Sequence, residues 1–204
     1  MQNTTTAPVQ KKRFQVRRIT VTAMLAAVAT VLMYVEFSVP FMPEFVKLDI
    51  SELPGMLAAF SFGPVAGVFV CLVKNALHLL VTTTGGVGEL SNFLLGVCLV
   101  VPAGLIYQIR KSRGSALVGA LIGSAVMALV SIPLNYYLTY PIYANFMPVD
   151  VIVGMYQAIR PSVNGLLNCL ITFNAPFNFL KGAIATAICF AIYKPLSPVL
   201  HGRR

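Results

Sequence analysis

The stretch "RRITVTAMLAAVATVLMYVE", residues 17–36, opens on two arginines and closes on Glu36, and residues 19–35 between them carry no charge. An α-helix of this length is about 30 Å long, which is the thickness of the hydrocarbon core of a bilayer. No convincing cleavage site follows it, and more apolar runs come later in the chain. We therefore predict a retained membrane-spanning helix at 17–36 rather than a cleaved signal peptide.

The composition of the whole chain agrees with this first segment. Of its 204 residues 57% are hydrophobic and only 10% are charged, whereas a soluble domain carries about 25% charged residues. The four cysteines all lie inside apolar runs and form no CxxC pair, which favours buried thiols over a disulfide framework or a metal site. The sequence predicts an all-α integral membrane protein, built as one bundle without a separate soluble domain.

Six apolar segments are long enough to form the helices of that bundle. The segment at 51–63 covers only about 20 Å as a helix, so it needs flanking residues to cross a bilayer. We predict a disordered basic cytoplasmic tail over 1–16, a membrane domain over 17–198 and a second tail over 199–204. The predicted helices are 17–36, 51–63, 64–81, 88–110, 114–140 and 162–194, with the last two kinked or ended by Pro133, Pro141 and Pro176.

The charges predict the orientation of the bundle. The net charge is +9, but eleven of the 15 basic residues fall into three clusters without acids, which is the distribution of cytoplasmic loops rather than of a nucleic-acid surface. Six crossings place the N-terminus, the 4–5 loop and the C-terminus on one side, so both termini are predicted to be cytoplasmic. The clusters are residues 11–18, 110–113 and 194–204; the acids, in or beside the opposite loops, are Glu36, Glu44, Asp49, Glu52, Glu89 and Asp150.

One polar stripe lies within the last apolar segment, in "TFNAPFNFLKGAIAT" at 172–186. Asn174, Asn178 and Lys181 are spaced four and three apart, so they share one helical face. Pro176 leaves the carbonyl of Thr172 free and bends the helix. A buried lysine costs about 2.5–3.5 kcal/mol on insertion scales, so it faces a cavity or a partner. Ammonium and amide groups suit a planar ligand edge that alternates C=O and N–H; the alternative is a polar seam that joins helices.

Other polar residues are weaker candidates for the same cavity. Asn135 lies deeper than the tyrosines beside it, of which Tyr140 and Tyr143 are better explained as interface anchors. Lys74 and His78 share a face of the helix at 64–81 next to Asn75, although His78 is equally well explained as a structural histidine. On the first helix, Ala23 and Ala27, like Ala26 and Thr30, have the small-xxx-small spacing that lets a second helix approach closely.

Three segments of the chain resemble the substrate-binding S components of energy-coupling factor (ECF) transporters, most of all the riboflavin-specific branch. They are "LDISELPGMLAAFSFGPVAGVFVCLVKNALHLL", "GGVGELSNFLLG" and especially "APFNFLKG". The resemblance extends from about Arg17 to Pro198. It implies a six-helix bundle that binds one vitamin near the extracellular face, in the plasma membrane of a prokaryote, and that needs no cofactor of its own.

The resemblance also implies partners and site residues. A membrane coupling protein would contact an AxxxA motif at Ala23 and Ala27, and two ATPase subunits would use ATP to drive a toppling of the chain. Riboflavin would bind to Asn178 and Lys181 on the last helix and to Asn135 on the fifth. The loop after the first helix would close the site through Lys47, Leu48 and Asp49, while Asn174, Lys74, Asn75, His78 and Glu89 are further pocket candidates.

Other functions are less consistent with the sequence. An S component for another vitamin or flavin is the nearest alternative. A membrane enzyme using His78, Lys74 and Glu89 lacks a reactive set with distinctive spacing. A stand-alone channel or a structural membrane protein is the last alternative. No GxxxxGK[ST], GxSxG, SxxK or HExxH motif is present, so we expect neither ATP hydrolysis, catalysis nor a metal in this chain.

Overall fold

The computed structural model describes the backbone of residues 6–43 and 46–201 and the side chains of residues 15–43 and 46–192. The described part is a helical bundle with one two-stranded hairpin. Its elements are α1 (Thr6–Tyr34), β1 (Phe37–Ser38), β2 (Lys47–Leu48), α2 (Glu52–Phe62), α3 (Pro64–His78), α4 (Val87–Ile109), α5 (Arg113–Leu134), α6 (Tyr140–Tyr143), α7 (Val149–Ile159), α8 (Gly165–Cys169) and α9 (Ala175–His201).

Five of the described helical segments are long and apolar enough to cross a membrane. They expose large apolar side chains such as Ile19, Val65 and Leu129 on their outer faces, as lipid contact requires. These segments are Gln15–Tyr34, Pro64–Val81, Val87–Ile109, Arg113–Tyr143 and Gly165–Ile192. The remaining predicted crossing, the segment at 51–63, corresponds to α2, which has only 11 residues.

The short helix α2 lies at the centre of the bundle. It contacts α1, α3, α4 and α9, and every residue from Glu52 to Phe60 is buried. The sequence explains this position, because "LPGMLAAF" offers small and apolar side chains all round the helix, and a helix that is apolar all round is buried. α2 therefore packs as a core helix between longer ones.

The described part of the chain is more helical near both of its ends than we predicted. α1 begins at Thr6, so residues 6–16 of the predicted disordered tail are helical, while residues 1–5 lie outside the described part. α9 continues to His201, through residues 199–201 of the predicted second tail. Charged residues such as Lys11 and Arg13 are good helix formers, so a basic composition does not exclude a helix extending beyond the membrane.

Prolines widen the two long helices instead of ending them. The chain is helical from α5 through α6 and from α8 through α9, by way of π-helical turns at Asn135–Thr139 and Leu170–Asn174. Each turn ends two residues before a proline, Pro141 or Pro176. A proline ring clashes with the carbonyl four residues earlier, and a wider turn moves that carbonyl aside. Such turns are frequent at functional sites.

Two elements were not predicted from the sequence. The loop after α1 contains an antiparallel hairpin in which Phe37 pairs with Leu48 and Ser38 with Lys47, so the fold is not all-α. The loop before α8 contains α7, which buries Ile152 and Tyr156 from one face. The spacing of those two residues is helical, but a run of 11 residues is too short to stand out beside the long apolar segments.

Close helix packing depends on glycine at the α4–α5 contact, and this gives a stability prediction. A Cβ at Gly123 would lie 2.4 Å from the backbone oxygen of Leu99, which cannot move aside, whereas a Cβ at Gly154 in α7 would have no atom within 4 Å. We expect Gly123→Ala to lower the thermal unfolding midpoint of the purified protein, since overpacking costs about 1–3 kcal/mol. Gly154→Ala makes the same chemical change and should leave the midpoint unchanged or raised. Equal midpoints for the two variants would contradict this description of the packing.

Candidate ligand-binding site

A cavity of about 330 Å³ opens at the end of the bundle where the hairpin, the start of α4, the end of α5 and the first two turns of α9 meet. Its volume is near the lower end of the range of small-molecule sites, about 300–1,000 Å³. Its wall combines polar groups with apolar faces. The polar or charged lining includes Glu36, Lys47, Asp49, His78, Thr83, Thr84, Glu89, Ser91, Asn92, Asn135, Thr139, Asn174, Asn178 and Lys181; the larger apolar and aromatic lining includes Met33, Leu95, Tyr140, Tyr143, Met147 and Phe177.

A buried ion pair joins α9 to the loop before α2. Lys181 Nζ lies 2.8 Å from Asp49 Oδ2 and 3.3 Å from Asn92 Oδ1 on α4. Burial alone would raise the pKa of the Asp49 carboxyl, but the charges of Lys181 and Lys74 and the hydrogen bonds from Lys181 and Ser51 lower this pKa below its ordinary value. Asp49 is therefore ionised at neutral pH, and the pair is lost only when the pH falls through that lowered pKa.

Lys181 keeps hydrogen-bonding capacity for a ligand. Its ammonium group has three N–H donors, and two of them are accounted for by Asp49 and Asn92. The remaining donor is available to an acceptor in the cavity. The insertion cost of this lysine is thus offset by an ion pair, while one of its donors has no partner among the described residues.

Two asparagines on the cavity wall carry unused polar atoms of opposite kind. Asn135 Oδ1 accepts a hydrogen bond of 3.3 Å from Ser91 Oγ, and its Nδ2 donates to no other residue in the described part of the chain. Asn178 Nδ2 donates to the carbonyl of Asn174 at 2.8 Å, and its Oδ1 accepts from no described residue. The wall therefore offers an amide donor from the π-helical turn that follows α5 and an amide acceptor from α9.

A second polar cluster lies where α4 begins. Glu89 Oε1 is 2.8 Å from His78 Nδ1, and Glu89 Oε2 accepts hydrogen bonds from Thr82 Oγ1 at 2.9 Å and Thr84 Oγ1 at 3.1 Å. Gly86, with φ of 88°, caps α4 in a conformation that favours glycine and lets the threonine loop fold back onto Glu89. The carboxylate is held in one orientation by three partners.

The short helix α7 contacts two residues of the cavity wall through Tyr156. Tyr156 Oη donates to Asn174 Oδ1 at 2.7 Å and lies 2.8 Å from Tyr140 Oη, while Asn174 Nδ2 donates to Tyr140 Oη at 3.3 Å. The three polar side chains form a closed triangle, and Tyr140 and Asn174 are cavity residues. Tyr140 therefore has a core role, where the sequence favoured an interface anchor.

Most of the predicted site residues lie on this one cavity. Asn135, Asn174, Asn178, Lys181, Lys47, Asp49, His78 and Glu89 all line it. Three of the predicted residues, Leu48, Lys74 and Asn75, are not among the described residues that line the cavity. Lys74 instead forms a buried ion pair with Glu52, and the side-chain amide of Asn75 donates to the Cys71 carbonyl within α3. On α1, Ala23 and Ala27 are exposed, whereas Ala26 and Thr30 are buried in the bundle.

Several residues of the wall were not predicted from the sequence. Asn92 is the most prominent, because it contacts both Lys181 and, at 4.0 Å, the sulfur of Met33. Its spacing from Glu89 and Leu95, three residues each way on a membrane helix, was the available signal. Phe177 and Thr84 gave no comparable signal, since an aromatic beside a proline and a threonine in a glycine loop are common features of membrane proteins.

Comparison with known proteins places the chain in a family. Residues 17–193 match the family "ECF transporter, substrate-specific component". A riboflavin transporter, RibU, of Staphylococcus aureus (strain TCH60) is 35% identical over 91% of this chain and 93% of its own length. The riboflavin transporter FmnP of Bacillus subtilis (strain 168) is 28% identical over 93% of this chain and 97% of its own length.

A solved structure has the same fold. It is the S component of a bacterial ECF transporter, it is 35% identical, and it superimposes with a TM-score of 0.73 over 93% of this chain and 99% of its own. The family match at residues 17–193 spans the helices that surround the cavity. This chain therefore belongs to the substrate-specific components of ECF transporters, so it is a multi-pass membrane protein and a transport subunit rather than an enzyme.

Proposed function

We propose that this chain is the riboflavin-binding subunit of an ECF vitamin transporter and that the cavity on α4, α5 and α9 holds the vitamin. One observation carries the assignment of the site. The wall presents an unused amide donor on Asn135, an unused amide acceptor on Asn178 and a spare ammonium donor on Lys181. Donor, acceptor and donor are complementary to the C=O, N–H, C=O edge of the isoalloxazine ring. The riboflavin transporters among its relatives support the same ligand.

The rest of the wall suits the other parts of riboflavin. Phe177, Met33 and Leu95 offer apolar surface for the flat ring and its dimethylbenzene end. The ribityl hydroxyl groups need donors and acceptors, which Thr84, Ser91 and similar side chains of the wall provide. Apolar surface combined with polar groups at fixed positions is the usual design of a small-molecule site.

The chain would act with partners that supply the energy. A membrane coupling protein would dock against Ala23 and Ala27, which are exposed on α1, and two ATPase subunits would hydrolyse ATP. In the membrane of a prokaryotic cell, the basic clusters at 11–18, 110–113 and 194–204 would face the cytoplasm. The chain would then cross six times between basic tails at 1–16 and 199–204, with α2 as the short sixth crossing and the cavity open to the outside.

Purification of the chain alone tests this function. The protein would be expressed in riboflavin-replete cells, extracted in detergent, and its bound small molecules released and identified by mass spectrometry. We expect a yellow protein with a flavin spectrum and riboflavin as the released compound. Release of a different vitamin would contradict the riboflavin assignment but not the membership of the chain in the S-component family. Turnover of a substrate without partner subunits would contradict transport.

The charges of the cavity predict a preference for riboflavin over its phosphate ester, FMN. The two lining lysines are paired, Lys47 with Glu36 and Lys181 with Asp49, and His78 is paired with Glu89. A phosphate group carries about −1.5 to −2 charge at pH 7, and among the described lining residues it would meet carboxylates and no unpaired cation.

We therefore expect FMN to bind at least about ten-fold more weakly than riboflavin in parallel titrations of the purified protein, a difference of about 1.4 kcal/mol. Glu89→Gln removes one carboxylate but keeps an oxygen that can accept from Thr82 and Thr84. In this variant the affinity for riboflavin should exceed the affinity for FMN by a smaller factor than in the unmodified protein. Equal affinities for FMN and riboflavin in the unmodified protein would refute the electrostatic explanation.

A further inference from the structure

The bundle contains a second buried ion pair that does not line the cavity. Lys74 Nζ on α3 lies 2.7 Å from Glu52 Oε1 at the start of α2, and the two side chains are 0% and 1% exposed. A buried pair of this kind is rarely more stabilising than well-packed apolar residues. Stability alone therefore gives a weak reason for placing two charges in the core of a membrane bundle, next to a site that they do not touch.

The packing around Glu52 is fitted to this pair. Cys71 Sγ contacts Glu52 Oε2 at 3.8 Å, and α4 passes the carboxylate at Gly96. A Cβ at Gly96 would lie 2.9 Å from Glu52 Oε2 and 3.1 Å from Cys71 Sγ. The absence of a side chain at this one position leaves the space that the carboxylate occupies.

Ser51 connects the buried pair to the cavity. Lys74 Nζ donates to Ser51 Oγ at 2.6 Å, and Ser51 Oγ in turn donates to Asp49 Oδ1. The backbone N–H of Ser51 donates to the same Asp49 oxygen at 2.8 Å, while the other Asp49 oxygen is paired with Lys181. A continuous polar chain thus runs from Glu52 through Lys74, Ser51 and Asp49 to Lys181.

We propose that the Lys74–Glu52 ion pair, acting through Ser51, is a positioning device that fixes Asp49 and the 46–51 segment against the cavity. The segment has two attachments of different kind. Lys181 is a cavity residue whose donors a ligand can share, whereas Lys74 and Glu52 are sealed from the cavity and from solvent. The attachment to Lys74 through Ser51 therefore holds the 46–51 segment in place when a ligand competes with Asp49 for the donors of Lys181. The part of this proposal that concerns ligand retention rests on the proposed function.

Trypsin provides a readout of the segment that does not depend on any ligand. Lys47 is the only Lys or Arg between residues 19 and 73, and Arg160 is followed by Pro161, which blocks cleavage there. Cleavage of the full-length protein after Lys47 yields a fragment beginning at Leu48, which mass spectrometry identifies. Cleavage at 110–113, on the opposite side, serves as the reference rate within each sample.

The decisive variant is Ser51→Ala, which removes the linking hydroxyl and leaves Lys74 and Glu52 in place. Ser124→Ala is its matched control, because Ser124 is an equally buried serine whose hydroxyl donates only to the Ala120 carbonyl within α5. We expect Ser51→Ala to raise the rate of cleavage at Lys47 about ten-fold, and the dissociation rate of riboflavin by a similar factor, since losing one buried hydrogen bond suffices for this. Ser124→Ala should change neither rate.

The paired variant Lys74→Met with Glu52→Gln gives an independent result, because it neutralises both charges and keeps similar volumes. It should raise cleavage at Lys47 as Ser51→Ala does, with the unfolding midpoint close to that of the unmodified protein. Unchanged cleavage and dissociation rates in Ser51→Ala would overturn the proposal, whatever the paired variant shows. If the unmodified protein does not bind riboflavin, the proposed function fails, but the cleavage rates still decide whether the buried pair positions the segment.

Discussion

Lys181→Met is expected to weaken riboflavin binding by about 100-fold or more. The variant removes a hydrogen bond from a charged donor to the ligand, which contributes about 1.5–3 kcal/mol. It also leaves Asp49, which is 7% exposed, without its 2.8 Å cation, and an uncompensated buried charge disturbs the wall of the site. The two losses together exceed the roughly 2.7 kcal/mol that corresponds to a 100-fold change in affinity. Titration of the purified variant with riboflavin, followed by flavin fluorescence, measures the change.

The contributions of ligand contact and charge balance are separable. Lys181→Met with Asp49→Asn removes the unpaired carboxylate, so the loss that remains is that of the direct contact. Lys111→Met makes the same change at an exposed lysine between α4 and α5, and we expect it to bind like the unmodified protein. If the double variant regained full affinity, Lys181 would serve only to neutralise Asp49, and its role as a ligand contact would be wrong.

Lys74→Met is expected to have the largest effect on stability. Glu52 would remain in the core beside Cys71 and Gly96 without a cation, and removing one partner of a buried pair costs about 3–5 kcal/mol. We expect a clearly lower thermal unfolding midpoint in detergent and a lower yield of folded protein. The measurement is a thermal unfolding curve of the ligand-free protein.

The second substitution should largely repair this damage. Adding Glu52→Gln to Lys74→Met removes the unpaired charge, so we expect most of the decrease in the thermal unfolding midpoint to be reversed. Lys111→Met is again the control for losing a lysine. An unfolding midpoint of Lys74→Met equal to that of the unmodified protein would be incompatible with a buried Lys74–Glu52 ion pair.

The sequence predicted the long helices better than the connections. The segment predicted at 64–81 matches α3 with its final 3₁₀ turn, and that at 88–110 matches α4 within one residue, because apolar runs of membrane length are unambiguous. The hairpin at 37–38 and 47–48 and the helix α7 are too short for such a signal. Their formation depends on tertiary packing, which propensity does not encode.

The two buried lysines show where site prediction from sequence ends. Lys74 and Lys181 both interrupt apolar helices, and both were sensible pocket candidates. Only Lys181 lines the cavity. The difference lies in their partners: the carboxylate of Lys74 is on the adjacent α2, whereas that of Lys181 comes from Asp49, 132 residues earlier in the chain. Spacing along one helix shows which residues share a face, but it does not show what that face meets.

The most direct test of the central claim is an equilibrium titration of the purified chain, without any other subunit, with riboflavin. Quenching of the flavin fluorescence should saturate at one molecule per chain, and Asn178→Ala, which removes the unused amide acceptor of the wall, should weaken the binding by about ten-fold. Absence of saturable quenching would contradict riboflavin binding by this chain. Saturable quenching with unchanged affinity in both Asn178→Ala and Lys181→Met would place the vitamin somewhere other than this cavity.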